Sequence, residues 1–297
     1  MAGPPHPRLA VLGSINMDLR VRAPRLPSAG ETILGSAFAS GQGGKGANQA
    51  IAAARAGAQV AMIGATGEDA FGEELIDALT AAGVDIAGVR RLDGPSGIAV
   101  ITVDDGGENT IVVAPGANGR LTDLLATDLA TIRAADLLLL QLEVPLDVVT
   151  AAAESAAAAG VPVMLNPSPA IPLPGSLLAS VTLLVLNEGE ARTLGADALA
   201  AVPHVVTTLG SAGARYRGPA GDEIVAVPPA VHSIDTTGAG DAFTGAFAVA
   251  WLAGREPTAA LDWACAAGAL ATTKPGASAP TRAEIDRLAG ETPHGSA

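Results

Sequence analysis

Short apolar runs alternate along this 297-residue chain with Ala-rich stretches of helical period, and that rhythm constrains the fold more than any other feature. Runs at 9–12, 60–63, 137–140, 161–165, 183–186 and 205–208 have the length of strands, and the most continuous of them, around 137–140 and 183–186, read as buried ones. Between them, 47–56, 71–82 and 146–159 carry helical patterns, and Gly57, Gly83 and Gly160 stand where a left-handed residue ends a helix. Strand, helix and strand in succession call for right-handed crossovers. The expected fold class is therefore α/β, a doubly wound, mostly parallel sheet with helices on both faces.

Two segments break the rhythm. Residues 98–103 and 109–113 alternate in hydrophobicity around Asp104-Asp105-Gly106-Gly107 and read as a β-hairpin. Residues 19–37, with scattered Pro and Gly, show no helical period. Together they are expected to leave the main sheet as a small antiparallel layer that covers a site. The expected organisation is one α/β domain over 8–290, with that layer drawn from about 18–40 and 97–114, and loose ends at 1–7 and 291–297.

A net charge of −13 argues against nucleic acid or an anionic membrane as the main partner, since either needs a basic face. No apolar run approaches a membrane span, and the first residues carry neither a basic segment nor a long apolar one, so a cytoplasmic location is expected. The lone Cys265 fits that compartment, because it permits no internal disulfide. His6, His204, His232 and His294 have no ligand-like spacing, which sets aside a metal site of the His/Cys kind.

The chemistry is concentrated in Asp235-Thr236-Thr237-Gly238-Ala239-Gly240-Asp241, which opens a helical segment. Small residues before a helix let backbone amides converge on an anion, and a carboxylate there would repel that anion unless it had a task. Transfer of a phosphoryl group to an alcohol supplies one, needing donors for developing charge and a base for the hydroxyl proton. An Asp N-cap after a Gly-rich turn is the plain alternative.

Gly41-Gln42-Gly43-Gly44-Lys45-Gly46 has dinucleotide-fingerprint spacing, but it does not follow the first strand and no acidic residue ends the next one. It is not a phosphate loop of the Gly-Lys-Ser/Thr kind either, because Gly46 follows Lys45. What remains is a backbone shaped for close approach, with Asn48 offering donor and acceptor one turn on, or else a tight turn before a helix. Asn16 and Asp18, two apart after the first strand, point to one side and suit neighbouring hydroxyls. Glu143, Asn187 and Glu190, and Thr208-Leu209-Gly210-Ser211-Ala212-Gly213 stand at further strand ends, where open α/β sheets bind ligands.

Taken together these segments resemble the ribokinase-like family of ATP-dependent sugar and nucleoside kinases. The resemblance runs from Leu9 to about Asp286. Its two signatures are Gly43-Gly44-Lys45-Gly46-Ala47-Asn48-Gln49 and the 235–241 run, supported by Gly13-Ser14-Ile15-Asn16-Met17-Asp18, Gln141-Leu142-Glu143 and Asn166-Pro167-Ser168-Pro169-Ala170. It implies ATP-dependent phosphorylation of D-ribose at O5, with Asp241 as base and Gly238, Ala239 and Gly240 as the anion hole. Asn16, Met17, Asp18, Gly44, Lys45, Gly46, Ala47, Asn48 and Glu143 would hold the sugar. Asn187, Thr208 to Gly213, Gly240 and Cys265 would meet the nucleotide, and Glu190 would hold Mg²⁺ through water. Asp235, Thr237, Ala271, Lys274, Gly276 and Ser278 would enclose an activating K⁺. The irregular layer would be a β-lid that also pairs two copies into a homodimer.

The chain departs from the family's pattern in two places. Cys265 stands where relatives often carry Asn or His, and the 274–280 loop is about two residues short. Within enzymes the alternatives are a kinase for another sugar, such as 2-deoxyribose or a ketose, or for a nucleoside; an aromatic content of 2% disfavours the last, which needs a slot for its base. A sugar-binding module that does no chemistry has no use for a base beside an anion hole.

Overall fold

The computed structural model describes residues 6–291, so the expected loose ends fall largely outside the described residues. In chain order the strands are β1 (Arg8–Leu12), β2 (Asn16–Arg22), β3 (Ala37–Gly43), β4 (Gln59–Gly67), β5 (Asp85–Leu92), β6 (Gly97–Val103), β7 (Asn109–Ala114), β8 (Leu137–Leu140), β9 (Val163–Leu165), β10 (Leu183–Asn187), β11 (His204–Thr208), β12 (Ala214–Arg217) and β13 (Glu223–Ala226). The helices are α1 (Lys45–Arg55), α2 (Ala70–Ala81), α3 (Ala126–Ala134), α4 (Leu146–Ala158), α5 (Gly175–Ser180), α6 (Glu188–Leu194), α7 (Ala196–Ala200), α8 (Ala239–Leu252), α9 (Pro257–Ala271) and α10 (Arg282–Glu291).

Nine strands form the main sheet in the order β13-β12-β11-β10-β9-β8-β1-β4-β5. From β11 to β5 every pairing is parallel, and β12 and β13 close the far edge as an antiparallel hairpin. Strand β1 shows why the central runs read as continuously apolar. Its alternate residues serve opposite faces, Leu9 and Val11 packing with α1, α8 and α9, while Ala10 and Leu12 pack with α4 and α5. The order reverses between β1 and β8, and at such a switch point the loops leaving the carboxyl ends part to form a crevice.

The irregular segments form a second sheet of order β3-β2-β6-β7. Its outer pairs are antiparallel and its central pair, β2 with β6, is parallel. This small lid lies at the carboxyl end of β1, from which β2 continues after a three-residue turn. Among the described residues no helix is long and apolar enough to cross a membrane.

The spacing of two helices sets the site. At Gly245, in the second turn of α8, an added Cβ would lie 2.7 Å from the Ala52 side chain and 2.8 Å from the Gln49 carbonyl of α1. Glycine there lets α8 settle against α1, and the first turns of both helices then face the same crevice.

Candidate active site

The floor of the crevice is the N-terminus of α1. Its N-cap, Gly44, has φ +86° and offers no side chain to the free amides of the first turn. Neighbouring segments satisfy them instead. Lys45 N donates to Glu143 Oε2 (3.1 Å), Ala47 N donates to the Ser14 carbonyl (2.9 Å), and the Ser14 hydroxyl donates to the same Glu143 oxygen. The positive end of the helix thus steadies the Glu143 carboxylate. A Cβ on Gly46 would lie 2.6 Å from the Gly13 and Ser14 backbone, and one on Gly44 2.7 Å from Asn16 N, so the close approach expected of this motif is present.

Asn16 and Asp18 enter from β2 on one side, as their spacing requires, and both are buried. Asn118, which sequence reasoning passed over, positions Asn16: its Nδ2 donates to Asn16 Oδ1 (2.7 Å) and to the Ile15 carbonyl (3.0 Å), while its Oδ1 accepts from Ile15 N (2.9 Å). Asp18 occupies space that only glycine leaves free on β3, since a Cβ at Gly43 would lie 2.0 Å from its Oδ1. Burial pushes the Asp18 carboxyl up to about 6, with Arg20 opposing that shift and Glu143 and Asp241 adding to it. The Met17 side chain, by contrast, is fully buried in the core.

Asp241 projects from the first turn of α8. Its Oδ2 accepts from Asn48 Nδ2 (3.0 Å) and its Oδ1 from Gln49 Nε2 (2.9 Å). A buried chain of amides stands behind it, with Gln141 Nε2 donating to Gln49 Oε1 (2.6 Å) and Gln49 Nε2 also donating to Asn166 Oδ1 (2.9 Å). Burial raises the Asp241 carboxyl above the usual carboxylate range, although Lys45, Gln49 and Asn48 pull it down. Lys45 is the reverse case. Burial alone would lower its ammonium, but Asp241, Glu143, Glu190 and Asp18 together hold it above its ordinary value. Asn48 Oδ1 is buried without a protein partner, an acceptor left for a hydroxyl.

Asp69 caps α2 and Asn187 caps α6, whereas no side chain caps α8. Gly238, its N-cap, takes the left-handed φ of +74° and is followed by Ala239, whose N donates to the Thr236 carbonyl (3.2 Å), and Gly240, so amides without a side-chain cap border Asp241. A cleft of about 150 Å³ opens there between Lys45, Asp241, Gly238 and Gly240 on one side and Asn187, Glu190 and Thr208 on the other. Asn187 and Glu190 form a capping box, Asn187 Oδ1 accepting from Glu190 N (2.9 Å) and Glu190 Oε2 from Asn187 N (2.8 Å). That reciprocal pair fixes both side chains at the cleft wall and uses one oxygen of Glu190.

A pocket of about 610 Å³ continues the cleft, with Thr208 and Gly240 lining both. It is bounded by Gly210, Ser211 and Gly213 after β11 and by an apolar wall that includes Pro228, Phe243 and Cys265. Leu209 and Ala212 shape the turn through their backbone, Leu209 N donating to the Gly213 carbonyl (2.7 Å) and Ala212 N to the Leu209 carbonyl (3.1 Å). Burial pushes the Cys265 thiol up to about 12, so it meets the pocket as a small neutral group.

Asp235 lies behind the anion-hole turn. Its Oδ1 accepts from Thr237 N (2.9 Å) and its Oδ2 from Gly276 N (2.8 Å). Burial works to raise its carboxyl, but these bonds and Arg20 bring it below the ordinary carboxylate value. The following loop packs on α8, where a Cβ at Gly238 would lie 2.8 Å from Ala277. Lys274 turns out of this loop to Glu284 of α10 (3.1 Å), away from Asp235. Ala271 ends α9, and Ser278 N donates to the Gly276 carbonyl (2.7 Å).

Residues 6–284 match the pfkB family of carbohydrate kinases. Among curated proteins the chain is 40% identical to the ribokinase of Bacillus subtilis, over 94% of this chain and 98% of the relative. It is 38% identical to that of Schizosaccharomyces pombe, over 94% and 96%. The structure of Arabidopsis thaliana ribokinase complexed with ribose and ATP superposes with a TM-score of 0.90 at 35% identity, covering 97% of this chain and all of that one.

Proposed function

The chain belongs to the pfkB family of carbohydrate kinases, and within that family we propose that it transfers the γ-phosphoryl group of ATP to O5 of D-ribose. The observation that carries this reading is Asp241 at the head of an uncapped helix, held by Asn48 and Gln49 and lining, together with Lys45, a cleft that opens into a second pocket. Asp241 takes the O5 proton, a bond forms between O5 and the γ-phosphorus, and the bond from that phosphorus to the β–γ bridging oxygen breaks as ADP leaves. The raised pKa suits this task, because a carboxylate nearer neutrality is the stronger base. Amides of Gly238, Ala239 and Gly240 meet the charge that develops on the transferring group.

Asn16 and Asp18 grip the sugar hydroxyls, with Glu143, Asn48 and the Gly44 to Ala47 backbone completing the pocket. The apolar wall beside Cys265 receives the base, and the 208–213 turn receives the sugar and phosphates of the nucleotide. Mg²⁺, arriving with the triphosphate, would be held through water by Asn187 and Glu190, and supplies charge that neutralises the phosphates. Asp235, Thr237 and the 271–278 loop do not fit a further K⁺ as they stand, because Asp235 accepts two amides and faces a guanidinium 3.5 Å away. No part of the proposed reaction runs through potassium.

We also propose that the enzyme works in the cytoplasm as a homodimer joined through its lid. Phe38, Val100 and Val112 fall on one face of that sheet and Ile111 and Val113 on the other, all exposed, so apolar surface is available on either side for a second copy. Incubation with ATP-Mg²⁺ and a panel of pentoses, hexoses and nucleosides tests the reaction. Ribose should give the highest kcat/KM and carry phosphate on O5, with 2-deoxyribose poorer for want of one hydroxyl. Equal kcat/KM for the two sugars would refute the diol contact, and a faster nucleoside would refute the assignment.

A further inference from the structure

Arg20 has no task in the reaction as written, yet it stands inside the site. It follows Asp18 by two residues on β2 and shares its side of the lid. Its guanidinium bridges two carboxylates, with Nη1 3.5 Å from Asp235 Oδ2 and Nη2 3.8 Å from Asp18 Oδ2, and its side chain is 23% exposed. A Cβ on Gly276 would lie 3.2 Å from Nη1, so the 274–280 loop closes directly over it. Arg20 Nε is buried without a hydrogen-bond partner. A free side chain would avoid that penalty by swinging into water, which leaves charge pairing as what holds it in place.

The other end of the ion pair is the carboxylate that ties Thr237 N to Gly276 N behind the anion hole. Any mobile cation bound at Asp235 Oδ2 would sit against the Arg20 guanidinium, and like charges that close in a half-buried site repel. The carboxylate therefore already has its counter-charge, covalently attached to the lid.

We propose that Arg20 is the fixed cation of this anion hole, a positioning residue that does for Asp235 what a bound monovalent ion would otherwise do. Through Asp235 it orders Thr237 and the 274–280 loop, and through Ala277 packed on Gly238 it orders the amides that lead into α8. Activity then needs no potassium. The inference rests on reading α8 as the phosphoryl-transfer site, and it adds a dependence on the lid, since Arg20 moves with β2.

The test compares wild type and Arg20→Gln in KCl, NaCl and tetramethylammonium chloride at constant ionic strength, reading kcat with ribose and the unfolding midpoint without substrates. Wild type should keep kcat within twofold across the three salts and show no potassium-specific rise in midpoint. Arg20→Gln should lose tenfold or more in kcat in the organic salt and recover severalfold in KCl or with added methylguanidinium, a rescue that a merely structural defect would not show. A wild-type kcat severalfold higher in KCl, with a potassium-specific rise in midpoint, would overturn the proposal, as would an Arg20→Gln enzyme as active as wild type in every salt. If Arg20→Gln does not fold, the two wild-type readouts decide. A wild-type protein that phosphorylates no sugar refutes the reading of the site instead, and the midpoint then judges Arg20 alone.

Discussion

Asp18 gives up stability for chemistry, whereas Gln49 serves both. The folded-state carboxyl of Asp18, at about 6, lies above its unfolded value, so the folded protein binds the extra proton between the two and loses stability as pH rises through that window. About two units correspond to roughly 3 kcal/mol. Asp18→Asn should therefore raise stability to denaturant by up to about 3 kcal/mol at pH 8, with the gain vanishing below pH 4, while the ribose KM rises. An equal change at both pH values would show that charge burial is not the cause. Gln49 donates to Asp241 and lowers its pKa, so Gln49→Leu should move the acid limb of the kcat profile to higher pH. It should also cost about 1–3 kcal/mol, because Gln141 and Asn166 lose a partner; an unmoved acid limb would exclude Gln49 from tuning the base. The acidic and amide residues that face the crevice were legible because motifs of small residues surround them. The tasks of Gln49, Gln141, Asn118 and Arg20 were not, since each acts through neighbours far away in sequence. Asn187 and Glu190 were legible twice over, as Asn-x-x-Glu is also the spacing of the capping box they form.

At the scale of elements, the packing of α8 on α1 decides whether Asp241 meets Asn48 and Gln49. Gly245→Ala would place a methyl 2.7 Å from Ala52, which is overpacking between two helices. It should cost about 1–3 kcal/mol in stability and lower kcat, although Gly245 lies one turn beyond the base, whereas an unchanged kcat at reduced stability would mean that the helix spacing does not position Asp241. The six central strands were readable because burial on both faces leaves each a short apolar run, four leucines in β8 and two valines in β11. β5 is half exposed along its length, and β12 and β13 are only four residues long, with β13 at the sheet's edge, so none of the three carried that signal. β2 lay partly in a segment read as irregular; its pairing with β3 and β6 is made by partners 15 to 81 residues away and not by local pattern.

The whole molecule joins an acidic α/β body to a lid with exposed apolar residues on both faces, the surface through which the proposed dimer would form. Val112→Asp, on the exposed strand β7, should leave the fold intact and shift sedimentation from dimer toward monomer, with activity falling as the lid loosens. A wild-type protein that sediments as a fully active monomer would remove the lid from the assembly. The central claim, that this crevice passes a phosphoryl group from ATP to a sugar hydroxyl with Asp241 as base, is tested most directly by Asp241→Asn. The account predicts that ribose still binds with an affinity near that of wild type while kcat falls by roughly 10²–10⁴-fold. A variant that keeps kcat within tenfold of wild type while binding ribose normally would contradict it.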